Sequence, residues 1–384
     1  MFSSRLPSAL EENAVTRVHA RLRTAGTEII DLTETNPTRV GLHYPADLHA
    51  MLAAPAALSY TPEPLGMLSA REAVAREYAR QGLTVSLDRI VLTGSTSEAY
   101  SLLFKLLCDA GDEVLIPQPS YPLFELLSRL DLVTTVPYAL HMHGGWSLDR
   151  DGIASALSAR TRAVLVVSPN NPTGSVLSAD DAVWLDELCA ARDIAIIADE
   201  VFLDYSLRGS RLHAVAERVT TALTFSLGGL SKSAGLPQMK LGWVAVSGPN
   251  ALVQRALHAL ELICDTYLSV ATPVQVAAAS LIKAGAALRG SIHERVMINL
   301  AACRARVAGR GDVTMLEPEA GWCVVLQMPA TESEEALVLR LLEQEHVLVH
   351  PGYFFDFPRE AFLVLSLLPE PDVFADGLAR VLRA

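Results

Sequence analysis

From residue 90 onward, short apolar runs rich in β-branched residues alternate with stretches of helical spacing. IVLT at 90–93 leads into a helix from about Ser97 to Leu107, and EVLI at 113–116 into a helix beginning near Tyr121. AVLVV at 163–167, a helix near 179–191, IAIIA at 194–198, ALTFS at 222–226 and LGWVAV at 241–246 continue the rhythm. Strand–helix–strand alternation predicts a parallel sheet covered on both faces, and strands buried on both faces are apolar throughout instead of alternating. Residues 249–310 are Ala-rich with few breakers and read as helical. A second α/β section follows, with WCVVL at 322–326, a helix near 333–343, HVLVH at 346–350 and FLVLSLL at 362–368. The stretch to about residue 45 carries an amphipathic segment and IIDLTETNPTRVG, too short for a domain of its own and expected to pack on the smaller one. The expected division is an N-terminal segment 1–45, a large domain 46–285 and a small C-terminal α/β domain 286–384. Neither an internal repeat nor a low-complexity segment appears.

Composition narrows the function. A chain of 384 residues that is 51% hydrophobic has ample material for a sizeable core. Its net charge of −12 argues against nucleic acid, because phosphate binding needs a basic surface. No run of eighteen apolar residues occurs, and the start MFSSRLPSALEENAV lacks a basic region followed by an apolar stretch, so neither membrane span nor secretory signal is indicated. A cytoplasmic location is the expectation. Five cysteines (Cys108, Cys189, Cys264, Cys303, Cys323) are widely spaced without a CxxC pair, which speaks for reduced, mostly buried thiols and against a zinc site or a disulfide framework, and no metal site is expected. A small-molecule enzyme is the class that remains.

The chain has four lysines (Lys105, Lys232, Lys240, Lys283) against 27 arginines, and two of the four stand eight residues apart in GLSKSAGLPQMKLGW. Arginine stays protonated, whereas a buried lysine can lose its proton and attack a carbonyl. Lys232 is thus a candidate Schiff-base lysine. Other loops follow other predicted strands, where doubly wound sheets bind their ligands. GSTSEAY follows IVLT, with Gly94 permitting close approach and Ser95, Thr96 and Ser97 offering hydroxyls and amides at a helix start, which suits a phosphate or an ordinary helix cap. SPNNPTG holds Asn170 and Asn171 in a rigid turn from which an amide can be aimed. Asp199, followed by Glu200, ends a buried apolar strand, where a carboxylate is costly unless it meets a cation. A phosphate cradle, an amide, a carboxylate and an amine are what pyridoxal 5′-phosphate requires: the aldehyde takes the lysine, and a carboxylate keeps the pyridine nitrogen protonated as an electron sink. Tyr121 in PQPSYP follows a further strand and suits stacking on the ring.

With these motifs in the order GSTSEAY, PQPSYP, SPNNPTG, ADEVF and GLSKSAGLPQMKLG, the chain resembles the class I/II aminotransferases of the fold type I pyridoxal-phosphate enzymes over nearly its whole length. The resemblance implies a large cofactor-binding domain with a mainly parallel seven-stranded sheet flanked by helices, and a smaller α/β C-terminal domain. It implies that Lys232 forms the Schiff base, Asp199 pairs with the pyridine nitrogen, Asn171 bonds the ring oxygen and Tyr121 stacks. Ser95, Thr96 and Ser231 become phosphate ligands. Tyr60 in SYTPEPLG matches the tyrosine that reaches the phosphate of a neighbouring subunit, implying a homodimer with shared sites.

Three departures from the family pattern stand out. The family's phosphate-binding arginine is Lys240 here, which keeps the charge but not the bidentate fork. The tyrosine expected three residues after the ring-nitrogen aspartate is Phe202, with Tyr205 one turn further on. The substrate-carboxylate arginine, two residues before a serine in the last strand, is Val364; Arg39 and Arg359 are the nearest candidates to replace it, or the substrate lacks the usual carboxylate. The expected reaction is transamination between an amino acid or related amine and a 2-oxo acid, with Lys232 as anchor and general base. The alternatives keep the cofactor and break another bond, by elimination, decarboxylation, cyclisation or oxidation, or turn nothing over, as a cofactor-sensing module would. A nicotinamide enzyme is disfavoured because no GxGxxG opens a helix after any predicted strand.

Overall fold

The computed structural model describes residues 2–7 and 12–383; residues 1 and 8–11 of the expected N-terminal segment, and residue 384, lie outside the described residues. Helix Ala14–Thr24, whose first turn is capped by the Asn13 side chain accepting from the Thr16 amide, is followed by the short strand β1 (Ile30–Asp31). Next comes a large sheet built from β2 (Ile90–Thr93), β3 (Glu113–Gln118), β4 (Thr134–Met142), β5 (Trp146–Leu148), β6 (Thr161–Val167), β7 (Ala195–Asp199), β8 (Thr224–Gly229) and β9 (Gly242–Ser247). The C-terminal part holds β10 (Thr314–Leu316), β11 (Cys323–Gln327), β12 (Val347–Leu348), β13 (His350–Pro351) and β14 (Phe362–Ser366).

The large sheet runs in the order β2-β9-β8-β7-β6-β3-β4-β5. Neighbours from β8 through β4 are parallel, β9 is antiparallel to both of its neighbours, and β5 is antiparallel to β4. It therefore has eight strands where seven are expected, and the addition is a hairpin: Gly144, at φ +72°, reverses the chain so that Trp146–Leu148 folds back on the end of β4. The central strands β6 and β7 are buried almost throughout, in keeping with their apolar runs. Helices cover both faces, with Phe104, Phe124, Phe225 and Leu260 in one layer and Leu185, Cys189, Ile196 and Val219 in the other.

The expected strand at 346–350 is two. β12 pairs in parallel with β1, while β13 pairs with β14 in the antiparallel sheet β10-β11-β14-β13. The positive φ of His346 (+54°) turns the chain into β12, and the pairing with β1 draws the N-terminal segment onto the C-terminal elements. Helix Thr272–Val307, 36 residues and about 54 Å at 1.5 Å per residue, links the two parts after helix Asn250–Tyr267. Among the described residues no single helix is long and apolar enough to cross a membrane.

Candidate active site

β2, β3, β6, β7 and β8 all point the same way, so the loops at their carboxyl ends meet along one edge of the sheet. Along that edge lies a cavity of about 340 Å³. Ser95, Thr96, Tyr121, Asn171, Asp199, Ser231, Lys232 and Lys240 line it, so tertiary structure gathers eight predicted residues from six loops. Close approaches make this possible at two glycines. A Cβ on Gly242 would sit 3.0 Å from the Ser95 carbonyl carbon, and one on Gly285 would sit 2.3 Å from the Ala234 Cβ, so glycine lets the long helix press on the Lys232 turn.

Asp199 is buried at the end of β7 and takes the Tyr100 hydroxyl on Oδ2 at 2.7 Å and the Val201 amide on Oδ1 at 3.2 Å. Burial nevertheless raises its carboxyl above the usual carboxylate range, because these two bonds do not replace the water it has lost. Lys232 stands on a single helical turn, Leu230–Ser233, directly after β8. Its Nζ lies 4.8 Å from the centroid of the Trp322 ring and 5.7 Å from that of Phe202, with no acceptor among the described residues. Burial lowers its pKa, opposed by the Asp199 and Glu34 carboxylates; the Cys323 thiol, pushed up to about 12 by its own burial, stays neutral near neutral pH and contributes no charge there. The turn is gripped from behind: the Tyr205 hydroxyl donates to the Lys232 carbonyl at 2.7 Å, and Arg289, ion-paired with Glu77 and Asp204, donates to the Ser233 carbonyl at 2.9 Å. Tyr205 thus holds backbone and does not line the cavity, which Phe202 does.

The paired asparagines divide their work. Asn170 is buried and bonded to Ser120, Pro119 and Thr173, which fixes the turn, whereas Asn171 faces the cavity with only the Cys323 thiol on its Oδ1, at 3.7 Å. At the far end, Ser95 caps helix Thr96–Leu107 by accepting from the Glu98 amide at 3.2 Å, and the first-turn amides beyond it have no helical acceptor. Gly94 is not in the wall; its amide donates to the Glu98 carboxylate.

The structure does not bring Tyr60, Arg39 or Arg359 into the cavity of their own chain. Tyr60 is 71% exposed beside Tyr267 and Leu268; Arg39 is exposed with its guanidinium 3.9 Å from Glu34; Arg359 lies 5.5 Å over the Phe362 ring. Val364 is buried in an apolar cluster with Cys323, Val325, Phe355 and Phe362. Sequence reasoning missed Tyr100, Trp322, Cys323 and Thr35, which support or line the site. Tyr100 had a local signal, standing in GSTSEAY on the helix that opens at the phosphate cradle. Trp322 and Cys323 had none beyond opening an apolar strand.

These residues suit pyridoxal phosphate on their own chemistry. Among the described residues a buried carboxylate has no cation in ion-pair distance, an amide aimed inward has no acceptor for its NH₂, an amine has no hydrogen-bonding partner, and a helix start carries hydroxyls with Lys240 nearby. The aminotransferase class I and II family model matches residues 28–372, and the chain belongs to that family. It is 26% identical over 94% of its length to the glutamate–pyruvate aminotransferase of Haemophilus influenzae, of which it covers 92%. To the alanine aminotransferase of Mycobacterium tuberculosis it is 28% identical, over 94% of this chain and 86% of that one. Among solved structures, an Escherichia coli aminotransferase superposes with a TM-score of 0.87 at 24% identity, covering 100% of this chain and 97% of the other, which shows the shared fold. The protein is a pyridoxal-phosphate-dependent aminotransferase of fold type I, from a family that uses amino acids and oxo acids. Transamination is its reaction class.

Proposed function

We propose that Lys232 is both the covalent anchor of the cofactor and the general base, and that its isolated amine in this cavity is the observation that carries the assignment. Asp199 would pair with the pyridine nitrogen, Asn171 would bond the ring oxygen and Tyr121 would stack on the ring, while Ser95, Thr96, Ser231 and Lys240 would hold the phosphate. When bound, the cofactor supplies the electron sink that acidifies the substrate's amine-bearing carbon. The lowered pKa of Lys232 leaves its Nζ free of a proton more often than an ordinary lysine, so it can take the proton from that carbon and return it elsewhere. Trp322 and Phe202 wall off water on one side, and Tyr205 and Arg289 keep the turn from drifting.

The remaining assignments follow the same line. Segments 1–45, 46–285 and 286–384 act as N-terminal segment, cofactor domain and small domain, with the N-terminal segment tied to the small domain through β1 and β12. Tyr60, exposed together with Leu58 and Tyr267, reaches the phosphate of a second copy of the chain in a homodimer. Arg39 or Arg359 meets the carboxylate of the 2-oxo acid. Five free cysteines fit a reducing, cytoplasmic setting. The test is borohydride reduction of the yellow holoenzyme followed by peptide mass analysis. The cofactor should become fixed to the peptide containing Lys232 in the wild type and remain removable in Lys232→Ala; fixation at another lysine overturns the assignment.

A further inference from the structure

Among the described residues that line the cavity, Asn171 carries the one side-chain amide, and an amide has two unlike ends: an oxygen that accepts and an NH₂ that donates. Which end faces a ligand is decided by what holds the other. Here the Cys323 thiol, itself in the cavity wall, donates to Asn171 Oδ1 at 3.7 Å. Backbone contacts put it there. The Gly174 carbonyl, at the end of the asparagine turn, accepts from the Glu319 and Ala320 amides at 3.1 and 3.0 Å, and the Gly321 amide donates to the Tyr205 carbonyl at 2.9 Å. The turn and the entry to β11 are thus hydrogen-bonded together, and Cys323 is the first residue of that strand, in register with Ser366. Burial pushes the thiol up to about 12, so near neutral pH it keeps the hydrogen that it donates.

We propose that Cys323 is a positioning residue for Asn171: its thiol holds the amide oxygen and so turns the NH₂ toward the ring oxygen of the cofactor, an inference that rests on the role given to Asn171 in the proposed function. Without the thiol either end of the amide can face the cavity, and an amide oxygen set against a negatively charged ring oxygen is repelled. Neighbouring rings do not supply the bond instead. Phe202 in the wall has no hydroxyl, and the Tyr205 hydroxyl is committed to the Lys232 carbonyl. A thiol is a weak donor, so its loss should show as a smaller version of losing the amide itself.

The experiment titrates the visible absorption of holoenzyme against pH without substrate. A donor on the ring oxygen favours the deprotonated form of the bound cofactor, so removing the donor raises the pKa of the absorption change. Asn171→Ala should raise it by about 1–2, the worth of a hydrogen bond to a charged acceptor, and Cys323→Ala by about 0.5. Cys323→Val, which fills the space but cannot donate, should match Cys323→Ala, while Cys323→Ser, which keeps a donor, should lie nearer the wild type. Adding Cys323→Ala to Asn171→Ala should move the pKa no further, because the thiol acts through the amide. Asp199 and Glu34, whose charges act on Lys232, are the same in all of these proteins and cancel in the comparison. An unchanged pKa in Cys323→Ala, an equal rise with and without Asn171, or a rise in Cys323→Ala that is absent in Cys323→Val overturns the proposal and leaves the role of Asn171 intact. If Asn171→Ala itself leaves the titration unmoved, the role of Asn171 at the ring oxygen fails and this proposal fails with it.

Discussion

Replacing Tyr100 with Phe isolates the support under Asp199. The Tyr100 ring packs edge-on against Phe124 at 5.3 Å between centroids and lies 6.2 Å from Phe104, contacts that phenylalanine retains, so the variant removes one hydroxyl. That hydroxyl donates to a buried carboxylate at 2.7 Å, a bond worth about 1.5–3 kcal/mol when the acceptor is charged. In the protein without cofactor, the Asp199 pKa already lies above its unfolded value, so the folded state holds the proton more tightly and stability falls as pH rises through the folded pKa. Tyr100→Phe raises that pKa further. The difference from wild type should therefore be larger on the alkaline side of the folded pKa, about 2 kcal/mol with the carboxyl charged, and shrink towards about 1 kcal/mol on the acid side, where the carboxyl is neutral and the bond ordinary. For a chain of 384 residues the larger figure corresponds to about 2–3 °C in Tm. Thermal melts of apo-protein on both sides of that pKa, scored as wild type minus variant, provide the assay. A loss independent of pH would mean that the hydroxyl is merely a packing polar group, and the account of Asp199 would be refuted. Cofactor affinity supplies a cross-check: the variant should bind pyridoxal phosphate about tenfold more weakly, because the carboxylate opposite the ring nitrogen is less often charged.

Further outcomes follow from other contacts. Glu200, beside Asp199, is pushed up to about 7 by burial, with Oε1 on the Val215 amide and Oε2 unpartnered. Its charged form costs stability as pH rises from its unfolded value through about 7, so Glu200→Gln should flatten the stability profile between pH 5 and 8 and stabilise the protein at pH 8 in denaturant titrations. Gly285→Ala places a Cβ 2.3 Å from the Ala234 Cβ and should cost about 1–3 kcal/mol in the same titrations, with weaker cofactor binding because the Lys232 turn is displaced. Tyr205→Phe frees the Lys232 carbonyl and should cost about 1 kcal/mol, and a change in the pH profile of kcat would separate positioning of Lys232 from simple destabilisation. Tyr60→Phe should weaken cofactor binding in a dimer and leave the melting temperature of apo-protein unchanged, since the side chain is 71% exposed.

The sequence by itself determined the chemistry and the strand rhythm, because those signals are local. Lys232, Asp199 and Asn171 each follow an apolar run that can only be a buried strand, and a charged or amide group at such a place marks a ligand-facing loop. β4 was not legible: Thr134–Met142 carries Pro137 and two exposed ends near the sheet edge, so its burial is patchy and its run reads as neither strand nor helix. The eighth strand and the split at 347–351 also escaped, since pairing partners rather than composition end those elements. Tertiary structure alone decided what surrounds Asp199 and Lys232. Tyr100 meets Asp199 across 99 positions, Trp322, just ahead of β11, lies over Lys232, and Thr35 lines the cavity beside the Glu34 carbonyl that Ser366 holds. Such contacts depend on how helices and sheets stack, and stacking is set by the summed burial of the whole core, which no short window of sequence contains.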